Sequence, residues 1–524
     1  MNLKKLNTYY HTLVHVKLIQ LYYQLYYRLF GRFLKPKLET AARVSNFLTL
    51  KEGLLYQDSF TEPHTFNFLN LEKQFDKIDW NFNTYGKLWT YNLNYFDYLH
   101  QESISKERGL QLINNFCDQK DSHCDGYEPY PISLRGINWV KFLSLHTIND
   151  SRINQQLFDD YNRLSKTLEY HLLANHLLEN AFSLLFGAYY FQEDTWYAKA
   201  QRLLKQQLEE QILPDGAHYE LSPMYHSIIL HRVLDSYNLV SNAAWKDKAL
   251  APLLKKKASL MLGWLQTMQF EGGALPMVND TTIHITPSPE AIYAYAKRLA
   301  ISSVPQPLKE SGYRKLKTPP LEVLFDVGQI APAYQPGHAH ADSLQILVYN
   351  QGTPLIVDTG ISTYEKNERR QLERSTCSHN TITVNHLNSS QVWSGFRVAK
   401  RAKTTILEDF KDRVLAVHNG YRSLGIAHKR EVRVLDQTIQ VSDTLTGGKK
   451  EDVVQGHLHL HPEVTYEIKD TVIILNNSIE IRFPKETVLD TQDYLYSQGF
   501  NNLVSAQKIK YTFKHQNTFT ISPL

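Results

Sequence analysis

Three short segments of this chain hold side chains whose types and spacing suit proton transfer and charge neutralisation. The first is Asn175-His176-Leu177-Leu178-Glu179. In a helix, residues three and four apart share a face, so the amide, the imidazole and the carboxylate can work together. An amide can hydrogen-bond a substrate carboxyl group, and a carboxylate beside an imidazole fixes its tautomer and raises its basicity. A polar cluster on a helix surface is the plainer use of the same residues. The second segment is Glu220-Leu221-Ser222-Pro223-Met224-Tyr225-His226. Ser222 reads as a helix N-cap and Pro223 as the first helical residue, which puts Tyr225 in the first turn. There the positive end of the helix dipole favours a phenolate, and an ordinary phenol, with a pKa of about 10, is too weakly ionised to be a base at neutral pH. A phenol so placed can both remove and deliver a proton.

The third segment, Gly337-His338-Ala339-His340-Ala341-Asp342, precedes an expected strand at Leu344–Tyr349. The turn Gln351-Gly352-Thr353-Pro354 returns the chain to Leu355-Ile356-Val357-Asp358. Pairing across that turn brings Asp358 back towards His340, and strand alternation puts His338 and His340 on one side. His379 precedes the next expected strand and can complete a ligand set. Two histidines and an aspartate suit zinc with an open fourth position. A self-satisfied polar network at a domain interface suits them nearly as well. His457, His459 and His461 alternate along one strand face without carboxylate partners, and a packed or exposed histidine row accounts for them.

These segments fall in two halves of different periodicity. From about Trp89 to about Ala300 the apolar pattern is helical, as in Asp159–Leu173, Leu177–Phe191, Tyr197–Gln211 and Tyr225–Leu239. Successive helical hairpins follow, open to either a superhelix or a closed toroid. After Val304–Pro307 and Pro319–Pro320 the runs become short and rich in Val, Ile and Thr, as in Asn380–Val384, Val432–Leu435 and Thr471–Leu475. Turn signals between them predict an antiparallel β-sandwich. The expected class is therefore α+β and multidomain: an arm and helical extension over 1–84, a helical catalytic domain over 85–310 and a sandwich over 311–524.

A length of 524 residues calls for more than one core. A net charge of only +4 excludes a domain-wide basic field and so argues against nucleic acid as the main partner. Charge is local instead: Lys4, Lys5, Lys17, Arg28, Arg32, Lys35 and Lys37 all precede the first acidic residue, Glu39. This Tyr-rich arm lacks the unbroken apolar run of a signal peptide or a membrane span. Leu18, Leu21, Leu25 and Leu29 predict an amphipathic helix, docked on the protein or touching a membrane surface, and the expected location is cytoplasmic or membrane-peripheral. Cys117, Cys124 and Cys377 form neither a CxxC pair nor an even set, so no disulfide framework is expected.

Taken together, Trp89–Asp97, Glu128–Pro131, Asn175–Asn180, Ser222–His226, His338–Asp342 and Ser375–Asn380 resemble, in order, the heparinase II/III family of polysaccharide lyases and the related alginate lyases. The resemblance implies a helical (α/α) toroid followed by a β-sandwich. It makes Asn175 the neutraliser of a substrate carboxylate and Tyr225 the proton-transferring residue. His338 becomes a second catalytic group, with His176 beside them. It makes His340, Asp358 and His379 ligands of a divalent metal, zinc by preference, in a structural role. Glu179, Tyr91, Asn94 and Arg135 are expected to bind the polymer. The implied substrate is an anionic, uronic-acid-containing polysaccharide, cleaved by β-elimination in connection with bacterial surface polysaccharide. The competing readings are a glycoside hydrolase, in which the metal activates water or two carboxylic acids among Glu179, Glu220 and Asp215 face one bond, and a non-catalytic polysaccharide-binding or assembly protein.

Overall fold

A computed structural model describes residues 3–31, 46–119 and 124–524. Two helices, α1 (Leu3–Leu13) and α2 (Leu18–Phe30), lie at the start. The helix expected from Leu18, Leu21, Leu25 and Leu29 is α2, whereas between residues 60 and 74 the expected helical extension is strand. Phe60–Thr61, Thr65–Phe68 and Leu71–Gln74 form a small antiparallel sheet. Phe60, Phe66 and Phe68 drive it, being buried against Tyr98 and Trp89 of the helical half.

The helical half then runs through α3 (Lys87–Tyr95), α4 (Lys106–Asp118), α5 (Pro129–Leu145), α6 (Ser151–Lys166), α7 (Ala174–Phe191), α8 (Asp194–Gln211), α9 (Pro223–Asn242), α10 (Ala251–Met268) and α11 (Pro289–Arg298). Helices α5, α7 and α9 pack side by side, while α6, α8 and α10 lie against them as hairpin partners. The inner helices are buried nearly all round, α9 even with His226, His231, Arg232 and Asp235 inside, as befits helices enclosed by others. Every residue of α7 is buried except His176. The helix expected over Asp159–Leu173 instead ends at Lys166. Residues 167–173 form the loop that leads into α7, with Leu173 and Ala174 both at positive φ.

The C-terminal half is an antiparallel assembly. A four-stranded meander, Tyr313–Thr318, Leu321–Asp326, Ile346–Asn350 and Thr353–Ile356, packs with a second four-stranded sheet containing Ile382–Val384 and Val454–His459. An eight-stranded sheet runs in spatial order Thr404–Asp409, Arg413–His418, Ala427–Leu435, Thr438–Thr446, Gln516–Pro523, Ile479–Arg482, Val472–Leu475 and Tyr466–Lys469. All three sheets feed one apolar core, with Val323, Ile346, Ile382, Val432, Val441, Leu458 and Phe519 among its members.

Two features lock the sandwich to the segments that carry chemistry. Along Thr438–Thr446 the residues alternate, and Asp443 faces inward opposite Arg430. That buried pair is bonded through Arg430 Nε at 2.7 Å, while Arg430 Nη1 donates to the carbonyls of Leu344 at 2.8 Å and Asn380 at 2.7 Å. Asn380 Nδ2 in turn donates to the carbonyls of Ile346 and Val357. The loops bearing His340, Asp358 and His379 are thereby braced against one another. A third, smaller core joins the halves: Trp264, Met268 and Phe270 meet Tyr313, Leu324, Leu347 and Tyr349, with Phe270 stacked on Tyr349 at 3.7 Å.

Candidate active site

Where the halves meet, the start of α9 faces the loop before Ile346. Ser222 caps α9, its Oγ accepting from the Tyr225 NH at 3.3 Å and donating to the Asp280 carbonyl at 2.8 Å. Pro223 occupies the first turn, as the sequence predicts. Leu221, just before the cap, is held at a φ of 56°, a conformation costly for a branched side chain. Its carbonyl takes the Tyr313 hydroxyl at 2.6 Å and Asn279 Nδ2 at 3.0 Å, which fixes it there.

Asp280 is the organising charge. Fully buried, it accepts His338 Nδ1 at 2.8 Å, His340 Nε2 at 2.8 Å and both terminal nitrogens of Arg370 at 2.5 and 2.6 Å. Burial alone would raise its carboxyl pKa, but Arg370 foremost, then His338 and His340, hold it well below the ordinary carboxylate value. A carboxylate can only accept, so Nδ1 of His338 donates to Asp280 and Nε2 is the ring nitrogen left for other contacts. That Nε2 points towards Glu220, 3.6 Å from Oε2.

The Tyr225 ring stacks on the His338 imidazole, centroids 3.8 Å apart, and its Oη lies 3.2 Å from that of Tyr364. Burial, with Asp280 and Glu220 adding to it, raises the phenol pKa far above 10 despite the Tyr364 hydrogen bond. Desolvation works against the phenolate that the helix start favours and makes the neutral phenol the favoured form.

Asn175 opens α7 beside this pair. Its Nδ2 donates to both oxygens of Glu220, at 3.0 and 2.9 Å, and its backbone NH to Oε1 at 3.1 Å. The exposed N–H groups and dipole of a helix start favour an anion at that point. His176 turns the other way, with Nδ1 3.0 Å from Glu169 Oε1, and its ring lies 4.7 Å from that of Tyr130. Burial would lower the imidazole pKa, yet Glu169, then Glu220 and Glu179, raise it above the ordinary value. The carboxylate that fixes the His176 tautomer is therefore Glu169 in the preceding loop, not Glu179 on the same helix.

The expected polymer-binding residues divide. Tyr91 is half-buried, bonded to Glu128, and belongs to a file of rings, Tyr91–Tyr95–Tyr130, that leads to His176. Glu179, Asn94 and Arg135 are scaffold. Glu179 is buried against Arg232 Nε at 2.7 Å. Asn94 donates to the Trp80 and Thr90 carbonyls. Arg135, wholly buried, is committed to Asp160 and the Gly126 carbonyl. These three side chains are each 1% exposed or less. Glu169, Asp280, Tyr364 and Arg370 had no part in the sequence-derived site, and Glu220 entered it only at the head of the second segment and as a candidate hydrolase acid. Only Glu220 gave a signal, by its place next to the Ser222 cap.

The expected metal ligands are all fully buried. The rings of His340 and His379 lie 5.2 Å apart, and His340 Nδ1 and His379 Nε2 have no hydrogen-bond partner. Two imidazole nitrogens left without a partner in a core suit a cation. Asp358, as it stands, accepts His379 Nδ1 at 2.8 Å through Oδ2 and the Gly360 NH through Oδ1. It orients one imidazole rather than facing a shared centre with both. Among the described residues, no three His, Cys, Asp or Glu side chains already converge on a common metal position. His457 and His459 are packed inside, His459 bonding Asn380 Oδ1.

Comparison with known proteins follows the same division of the chain. The family profile described as the heparinase II/III N-terminus matches residues 132–297, and that described as heparinase II/III-like, C-terminal, matches 302–522. A heparin-sulfate lyase of Bacteroides stercoris is 21% identical over 324 residues, which cover 56% of this chain and 46% of the relative. The chain thus aligns with about half the length of that relative. A crystal structure of heparinase III superposes with a TM-score of 0.67 at 14% identity, covering 86% of this chain and 80% of the other. The heparan sulfate lyase HepC of Pedobacter heparinus gives 0.56 at 15% identity, over 86% and 78%. The architecture is that of these lyases, a helical toroid followed by a β-sandwich. With consecutive family profiles covering both halves in that order, the chain belongs to the heparinase II/III family.

Proposed function

We propose that the protein is a polysaccharide lyase that cleaves a uronic-acid-containing polymer by β-elimination. The observation that carries this reading is the stacked Tyr225–His338 pair beside the amide of Asn175, assembled from both halves of the chain. In a uronate the C5 proton is acidified by the adjacent carboxyl group, and the leaving oxygen sits on C4. Asn175 and the start of α7 neutralise the carboxylate and the developing enolate. The Nε2 lone pair of His338 takes the C5 proton, the C4–O bond breaks, and the neutral Tyr225 phenol protonates the departing oxygen. A C4–C5 double bond remains, and the proton gained by His338 returns to the phenolate for the next turnover. His176, turned to the Tyr130 side, contacts the sugar chain along the tyrosine file.

The hydrolase reading finds less support. Glu220 is bonded through both oxygens to Asn175, Asp280 is paired with Arg370, Glu179 with Arg232, and Asp215 accepts the Lys309 and Ser311 backbone NH groups. None faces a second free carboxyl group across a cleft, as inverting or retaining hydrolysis needs. A divalent metal, zinc by preference, held by His340 and His379 with Asp358, belongs to this proposal in a structural role, stiffening the loop that presents His338. Heparan-type chains, named for the relatives, and the producing bacterium's own surface polysaccharide are the substrates to try first. The basic N-terminal helices belong to the same reading as a contact with an anionic surface. Ultraviolet absorbance of unsaturated product, in a screen of uronate polymers, tests the proposal. Cleavage without that absorbance would make the protein a hydrolase, and binding without cleavage an assembly protein.

A further inference from the structure

The two N-terminal helices are held to the body by one side only. In α1, Thr8 and Thr12 accept from Gln391 and Trp393 of the sandwich half, and Tyr9 packs edge-on against Trp393 at 5.3 Å. In α2, Gln20 Nε2 donates to the Leu172 carbonyl and Tyr27 Oη to that of Leu168, while Tyr23 stacks on Tyr170 at 4.5 Å. Lys17, between the helices, pairs with Glu210 and lies over the Tyr334 ring.

The opposite side of α2 is apolar and faces outward. Leu18, Tyr22, Leu25 and Leu29, spaced by four, three and four residues, share one stripe and are 83%, 62%, 59% and 52% exposed. In α1 the same spacing leaves Leu6, Tyr10 and Leu13 exposed. Proteins that stay apart in water rarely present so continuous an apolar stripe. Charge selects what covers it. Residues 1–38 contain Lys4, Lys5, Lys17, Arg28, Arg32, Lys35 and Lys37 and not one Asp or Glu.

We propose that the outward face of α1 and α2 docks on an anionic lipid surface. Leucines enter the headgroup boundary, tyrosines sit at its polar edge, and Lys5 and Arg28 meet lipid phosphate. The helices lie in the plane of the surface, since no described helix is long and apolar enough to cross a membrane. A second copy of the chain fits poorly, because pairing this face with itself sets two acid-free basic helices against each other. The polymer supplies the opposite charge but nothing to cover leucines. The other face of α2 grips the loop 168–172, which holds Glu169 against His176, so docking places the candidate site close to the lipid surface.

Flotation of the full-length protein with phosphatidylcholine vesicles containing about 30% phosphatidylglycerol, against vesicles of phosphatidylcholine alone, tests this. The protein should float with the anionic vesicles, and binding should weaken as salt rises from about 0.05 to about 0.5 M. The triple substitution Leu18→Gln, Leu25→Gln, Leu29→Gln should reduce binding at least about tenfold with an unchanged melting temperature. If that variant folds poorly, Leu18→Gln alone should reduce it about threefold. The proposal is overturned if the full chain stays unbound to anionic vesicles or if a folded glutamine variant floats like wild type. It is equally overturned if wild type is a dimer that the glutamine variant turns into a monomer.

Discussion

Replacing Tyr225 by phenylalanine removes one oxygen and leaves its surroundings in place. The ring keeps its stack on His338, the Ser222 cap on the backbone NH is untouched, and only the 3.2 Å bond to Tyr364 is lost. That bond is long for a hydroxyl pair, so its loss costs about 1 kcal/mol or less. The chemical loss is of another size. A positioned acid contributes about 10²–10⁴-fold, or about 3–5 kcal/mol of transition-state stabilisation. The expected outcome is a fall in kcat of at least about 100-fold with KM within about threefold, because the phenol proton is needed only as the C4–O bond breaks. The assay is the initial rate of ultraviolet absorbance on whichever polymer the screen identifies, with thermal melting in parallel. A kcat within about threefold of wild type, at an unchanged melting temperature, would refute the assignment. A change confined to KM would show that the phenol binds substrate without transferring a proton.

Asn175→Ala should lower turnover more on a free uronate polymer than on its methyl ester, where less charge needs neutralising; equal losses on both remove that role. Elemental analysis of the purified protein should find about one divalent ion, absent from His340→Ala and His379→Ala, and an active, folded, metal-free sample would leave these residues as a polar network. Glu169→Gln tests the His176 pair by pH. With its pKa raised above 6.5, His176 contributes stability that is complete below pH 6.5 and lost as pH rises through the raised value. The Glu169 carboxyl is pulled below its ordinary 4.5, chiefly by His176 working against burial, so its contribution is present above pH 4.5 and lost as pH falls through the lowered value. The gap in melting temperature between wild type and variant should therefore be widest from pH 4.5 to 6.5. A gap that does not vary with pH would refute the pairing.

The parts of the site legible in the sequence are those with a local signature. Ser222-Pro223 announces a helix start, and that fixes Tyr225; a change of periodicity after residue 305 announces the sandwich and the loop bearing His338. What the sequence hides is the partner of each group. Glu169, Glu220 and Asp280 reach His176, Asn175 and His338 from other elements, and tertiary packing alone decides such pairs. The same blindness explains Arg135, Asn94 and Glu179: a charged or amide side chain reads alike in sequence whether it faces ligand or neutralises a buried partner. The small sheet over 60–74 escaped because its strands are short and its hydrophobic residues are paired with the helical half rather than with a periodic face of their own.

The brace formed by Arg430 also sets the order in which the protein can become competent. A chain made from its N-terminus builds the helical half first, through contacts between neighbouring hairpins, and Asn175 and Tyr225 are in place early. The carbonyls of Leu344 and Asn380 must wait for a guanidinium that is synthesised later, and its own counter-charge, Asp443, arrives only with the following strand. Until then the loops that present His338 and His379 lack their common anchor. A product that stops short of the 427–446 hairpin lacks that anchor altogether.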